Sequence, residues 1–256
     1  MEQSMRGLME PLPPSQASTS MQDDAACALV PFSFRNPFHD ALRDEIRRFP
    51  IAKRQIMIRQ GWKNDGKGGT TLGFGASVYD AAIALSLYLE AHCDLVRNKR
   101  VIELGCGPGL VGIVAAHLQA DQVVVTDGDP ASVHLTAANI ELNELEKPQC
   151  IATEYLWGDE TNGVLQDAPY DVVVGADIVA CPYADAFDAL LRAFLQLTDA
   201  HTELVLAYKL RHGSENSFFD EFERHFVVER VSSESLHHDF QDGDIVIFRA
   251  RRRSQA

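Results

Sequence analysis

Glu103-Leu104-Gly105-Cys106-Gly107-Pro108-Gly109 is the stretch on which the reading of this chain turns. The run Val101-Ile102-Glu103-Leu104 leading into it has the length and apolar character of a buried strand, and residues 110–119 after it read as a helix. A glycine-rich turn between a strand and a helix lets a ligand approach the backbone where side chains would block it. The helix that follows then presents unpaired N–H groups to an anionic ligand group.

The identity of that ligand follows from which positions are glycine. A dinucleotide loop, G-x-G-x-x-G, would need its third glycine at position 110, and that residue is Leu110. The glycines are instead Gly105, Gly107 and Gly109, with Glu103 two positions ahead, an alternation similar to the S-adenosylmethionine loop. That cofactor carries a carboxylate and a cationic amine but no pyrophosphate. Glu103 offers a charge for the cationic end, and the loop N–H groups, Cys106 included, serve the anionic end. The next strand, Val123-Val124-Val125-Thr126, ends at Asp127, about 20 residues past Gly107, the spacing of a carboxylate that accepts from ribose hydroxyls. A purely structural reading has Glu103 capping the loop and Asp127 turning the chain.

On either side of the loop, short apolar strands alternate with helices. Residues 78–89 carry Val78, Ala81, Ala82, Leu85 and Leu89 on one helical face. Beyond Asp127 come a helix over 130–142, strands at 150–153 and 171–175, a helix over 184–197, a strand at 203–207 and a helix over 214–225. Strands at 226–231 and 244–250 follow. The alternation predicts an α/β fold, Rossmann-like, with a mostly parallel seven-stranded sheet covered by helices on both faces. Upstream, residues 1–30 lack periodicity and are expected to form a poorly ordered tail. Residues 31–75 are expected to add a helix/strand extension. Asn36-Pro37 would cap a helix carrying Phe38, Leu42, Glu45, Ile46 and Phe49 that stops at Pro50; a strand at 55–59 and a glycine-rich connection then lead to the domain at 76–250. Residues 251–256, with Arg249 just before them, read as a solvated basic tail.

The 256 residues, 46% of them hydrophobic, can bury one substantial core. A formal net charge of −14 repels phosphate backbones and argues against nucleic acid as a partner. The same charge suits a basic protein surface bearing an exposed lysine. Cys27, Cys93, Cys106, Cys150 and Cys181 form no C-x-x-C pair, so neither a disulfide framework nor a metal site is expected. His237-His238-Asp239 reads as a polar turn. With no secretory pattern and no apolar run near the ~20 residues of a membrane helix, the expectation is a cytoplasmic or nuclear compartment with no membrane partner; a monomer is expected as well.

In its motifs the chain resembles the seven-β-strand S-adenosylmethionine-dependent protein-lysine methyltransferases, the group that includes those acting on heat-shock chaperones and elongation factors. The resemblance rests on Val78-Tyr79-Asp80-Ala81-Ala82-Ile83, the loop from Glu103 to Gly112, Val125-Thr126-Asp127, Leu156-Trp157-Gly158, Gly175-Ala176-Asp177 and Tyr208-Lys209-Leu210-Arg211. It implies cofactor contacts from Gly105, Gly107, Asp127, Trp157 and Ala176, with Tyr79 standing where the family carries tryptophan. The family's acidic-x-x-aromatic segment begins here at Asp177 but reaches Ala180, so that either Tyr183 supplies the ring from a displaced loop or the lysine channel is altered. Asp177 is then expected to orient the acceptor amine, with Tyr183 and Tyr208 as candidates either to wall its channel or to be buried as core tyrosines. Three other readings stay open: methylation of a small amine, a cofactor-binding module without catalysis, and a nicotinamide-dinucleotide oxidoreductase, the last disfavoured by Leu110.

Overall fold

The structure is a computed structural model and describes residues 41–42, 44–61, 72–179, 186–210 and 216–253. The expected N-terminal tail, Ala180 and Tyr183 lie outside the described residues. Seven strands form the main sheet: β3 (Arg100–Leu104), β4 (Gln122–Asp127), β5 (Cys150–Glu154), β6 (Val172–Ala176), β7 (Glu203–Lys209), β8 (Phe226–Arg230) and β9 (Ile245–Arg252). Their order is β5-β4-β3-β6-β7-β9-β8; the first five are parallel, and β9 runs antiparallel to both its neighbours. This is the α/β sheet expected from the alternation of strands and helices.

Side-chain alternation along the strands divides the core into two layers. Val101, Val123, Val125, Val172, Val174, Val205 and Ile247 face one cluster, which also takes in α1 (Asp80–Ala91) and α2 (Leu110–His117). Ile102, Leu104, Val124, Val173, Leu204, Leu206 and Phe248 face the other, beneath α4 (Phe187–Leu197) and α5 (Asn216–His225). Strands buried on both faces need apolar residues at successive positions, which is why they read as unbroken runs of Val, Ile and Leu. The second layer is aromatic: Phe222 stacks on Phe226 at 4.4 Å, and Phe194 meets Phe222 edge-on at 5.6 Å.

Helix α3 (Pro130–Leu142) begins as its sequence dictates. Asp129 is the N-cap and its carboxylate accepts the Ala131 N–H at 3.0 Å, while Pro130 occupies the first turn, where no N–H is needed.

The extension before the domain differs from the expectation. Ile46 and Phe49, read as one face of a helix, belong to a strand, β1 (Ile46–Ile51), paired antiparallel with β2 (Arg54–Arg59). Pro50 sits within β1, tolerated because a two-stranded ribbon has only edge strands. The turn is Ala52-Lys53, both at positive φ (58° and 57°), so neither Gly nor Asn advertised it. The outer edge of β2 is closed by two asparagines one turn apart on and just after α3. Asn143 accepts from Met57 N (2.9 Å) and donates to Met57 O (2.7 Å); Asn139 does the same for Arg59 (2.8 and 2.9 Å). Each amide thus stands in for one residue of a neighbouring strand, satisfying groups that an edge would leave open.

At the far end, β9 extends to Arg252, so Arg251 and Arg252 are strand residues and not a tail. Arg249 and Arg251 both donate to the Glu203 carboxylate at the start of β7, which is nearly buried, and Arg252 donates to Thr198 O at 2.8 Å.

Candidate active site

Strand β3 has β4 on one side and β6 on the other, so the chain reverses its direction of growth across the sheet there. In open α/β sheets the crevice beyond the strand ends at such a switch point is where ligands bind. A cavity of about 530 Å³ lies there. Its lining includes Tyr79, Glu103, Gly105, Cys106, Gly107, Asp127, Trp157, Ala176 and Asp177. Eight of the nine residues expected to bind cofactor, together with Asp177, are therefore brought to one cavity from five separate segments. Gly109, the ninth, is not among the lining residues: it is the N-cap of α2 at φ 84°, and a β-carbon there would lie 2.6 Å from Thr136 Cγ2.

The loop can take this shape only with glycine. At Gly105, φ is 60°, and a β-carbon would fall 2.7 Å from Ile178 Cγ2 and 3.2 Å from the Trp157 ring. The turn is fixed from α3 as well: Thr136 Oγ1 donates to Gly107 O at 2.6 Å and Asn139 Nδ2 donates to Pro108 O at 2.9 Å. Cys106 Sγ lies 3.4 Å from Thr136 Oγ1, and burial pushes its thiol well above the usual range, so it is a protonated packing group.

Both carboxyls do the structural job that the sequence offered, and both also line the cavity. Asp127 Oδ2 accepts from Gly107 N and Oδ1 from Asp129 N, both at 3.0 Å, so it braces the turn while it lines the cavity. Burial pushes its pKa up. Glu103 is 2% exposed and accepts the Gly112 N–H in the first turn of α2 at 2.7 Å. That single bond offsets little of its desolvation, which pushes the carboxyl up to about 8. A cationic ligand group in the cavity would reverse the balance.

Asp177 follows the last residue of β6 and holds φ at 58°, a left-handed conformation uncommon for a residue with a side chain. It is locked by two bonds to β7: its N–H donates to Ala207 O (2.8 Å), and its Oδ1 accepts from Lys209 N (2.9 Å). Lys209 Nζ is in turn 3.4 Å from Asp244 and 3.8 Å from Asp80.

Of the two readings of Tyr208, channel wall and core tyrosine, the packing agrees with the core one. Tyr208 is not among the lining residues; its ring packs in the aromatic layer, 5.3 Å from Phe219 and 6.0 Å from Phe248. The strand alternation decides this, since Tyr208 falls on the same face as Leu204 and Leu206. His237, His238 and Asp239 gather beside a short 3-10 turn, where the His237 ring accepts the Asp239 N–H at 3.4 Å.

Sequence reading missed part of the wall. Leu72, Gly75, Ser77 and Val78 line it, from a segment read as mere connection and the first turn beyond it. Ser132 lines it from α3, and among the described residues its buried Oγ has no hydrogen-bond partner. The available signal was polar spacing: Ser132, Thr136, Asn139 and Asn143 recur at helical intervals, and all four are buried. A buried carboxyl that calls for a cation, an orphaned hydroxyl, and a turn that a β-carbon would obstruct fit S-adenosylmethionine, which offers an ammonium, ribose hydroxyls and a carboxylate.

Comparison with known proteins agrees. Residues 63–225 match the family model described as lysine methyltransferase. The chain is 36% identical over 226 residues to protein N-lysine methyltransferase METTL21A of Danio rerio, covering 87% of this chain and 95% of that one. It is 34% identical over 215 residues to EEF1A lysine methyltransferase 3 of Mus musculus, covering 83% and 84%. Among solved structures, a TehB-like SAM-dependent methyltransferase from Corynebacterium glutamicum superposes with a TM-score of 0.50 at 14% identity, over 71% of this chain and 91% of that one, a likeness of fold alone. By its family model and by relatives matched along nearly their whole length, the chain belongs to the lysine methyltransferase family.

Proposed function

We propose that the protein transfers a methyl group from S-adenosylmethionine to the side-chain amine of a lysine on another protein. The observation that carries the reading is Asp177, a carboxylate held rigidly in the cavity wall by Lys209 N, next to Ala176. When bound, the cofactor supplies an electrophilic methyl on a cationic sulfur. Glu103, Asp127 and Trp157 would hold it, Trp157 by covering the adenine face and Tyr79 by packing on the methionine part, whereas the N–H groups of Cys106 and Gly107, expected to serve its anionic end, are taken up by Thr126 O (2.9 Å) and Asp127 Oδ2 (3.0 Å).

The protein's remaining task is alignment and exclusion of water. A lysine amine must also be neutral to react, and deprotonating it at pH 7 from an ordinary pKa of ~10.4 costs about 4.6 kcal/mol. Apolar walls such as Ile178 and Trp157 lower that cost by disfavouring the ammonium. Asp177 orients the amine while its charge favours the ammonium, so desolvation and orientation oppose each other. The net charge of −14 favours a basic protein partner over nucleic acid. Free thiols at Cys93, Cys106 and Cys150 suit a reducing, cytoplasmic or nuclear compartment, where we expect the protein to act as a monomer.

The test is incubation of the protein with methyl-labelled S-adenosylmethionine and an extract of cells lacking it, followed by mass spectrometry of labelled bands. Label on lysine of a discrete protein supports the reading. Label confined to small metabolites replaces it with small-amine methylation.

A further inference from the structure

Ser132 is the third residue of α3 and is 1% exposed. Among the described residues, its Oγ is the one buried side-chain nitrogen or oxygen without a hydrogen-bond partner. A buried hydroxyl left unpaired costs stability, and its retention in a cavity wall points to a partner outside the chain. Its surroundings say which kind. A β-carbon at Gly75 would lie 2.4 Å from Ser132 Oγ, and one at Gly107 would lie 3.5 Å from Gly75 Cα. Gly107 N in turn donates to Asp127. Ser132, Gly75, Gly107 and Asp127 are thus one continuous piece of wall.

We propose that Ser132 is a cofactor-binding residue whose hydroxyl pairs with the ribose diol of S-adenosylmethionine, sharing that diol with Asp127. The inference rests on the cofactor reading given above. A vicinal diol is neutral and can both donate and accept, so it satisfies an acceptor-only carboxylate and a serine hydroxyl side by side. The cofactor's carboxylate at this position would face Asp127 and Asp129, both in the lining, and be repelled.

The experiment compares the wild-type full chain with Ser132→Ala, using calorimetry with S-adenosylhomocysteine and with 5′-methylthioadenosine, which has the ribose but lacks the amino-acid end. Melting temperatures are recorded without ligand. Expected are an unchanged or higher melting temperature for the variant and about three- to tenfold weaker binding of both ligands, the loss of one neutral hydrogen bond. A merely structural hydroxyl would instead lower the ligand-free melting temperature, and that result overturns the proposal. Unchanged affinity for both ligands overturns it too, as does a loss confined to S-adenosylhomocysteine, which would put Ser132 at the amino-acid end. If the wild-type protein binds neither ligand, the cofactor reading itself falls.

Discussion

Glu103→Gln separates a carboxyl that binds a cation from one that merely caps a helix. Burial moves the Glu103 pKa from an ordinary 4.5 to about 8. At pH 7 a group with that pKa is about nine-tenths protonated. An ammonium brought beside it favours the carboxylate, so binding of S-adenosylhomocysteine at pH 7 is expected to release up to about 0.9 proton, falling to about 0.1 at pH 9. Calorimetry in two buffers of different ionisation enthalpy counts the protons directly. The glutamine keeps an oxygen for Gly112 N–H but cannot ionise. Proton release should fall to near zero, and affinity should drop by about 1.5–3 kcal/mol, the worth of a charge-assisted hydrogen bond. Stability without ligand carries the same signature. Between pH 4.5 and about 8 the folded state keeps a proton that the unfolded chain has lost. Stability therefore falls as pH rises through that window, by at most about 1.4 kcal/mol per unit from this group, and the glutamine variant should lose that slope. Asp127, also raised by burial, adds a contribution of the same sign that persists in the variant. Undiminished proton release from Glu103→Gln, or none from the wild type at pH 7, would refute the argument.

Asp177→Asn keeps the oxygen that accepts from Lys209 N, and asparagine tolerates the left-handed backbone at φ 58°. Methyl transfer measured as kcat should fall about 10²-fold while affinity for S-adenosylhomocysteine stays within about twofold, as expected when alignment alone is lost; an unaltered kcat would remove Asp177 from the reaction. Asn143→Ala strips the partners from Met57 N and O. Two part-buried groups left unpaired cost about 2–3 kcal/mol, or a melting temperature about 4–12 °C lower by scanning calorimetry; a drop under about 1 °C would show that the hairpin does not depend on this contact.

The sequence by itself determined what is local. Strand, turn and helix around Gly105 follow from apolar runs and from three glycines that hold positive φ angles, a conformation glycine adopts without steric cost, and the Asp127 spacing reports one βα unit of fixed geometry. The parallel sheet followed because short apolar strands alternating with helices can bury both faces in only a few ways. What the sequence did not determine depends on partners far along the chain. Ile46 and Phe49 have helical spacing on paper, yet they belong to a strand because β2 pairs with it and Asn139 and Asn143, some 80 residues beyond β2, complete the ribbon's edge. Tyr208 belongs to the core because strand register turned it toward Phe219 and Phe248. The charge state of Glu103 and the unpaired hydroxyl of Ser132 exist only once packing has excluded water from them. Covalent geometry fixes the conformation a residue can adopt. Its exposure, its partners and its protonation belong to the folded whole, because they are set by what long-range contacts put beside it.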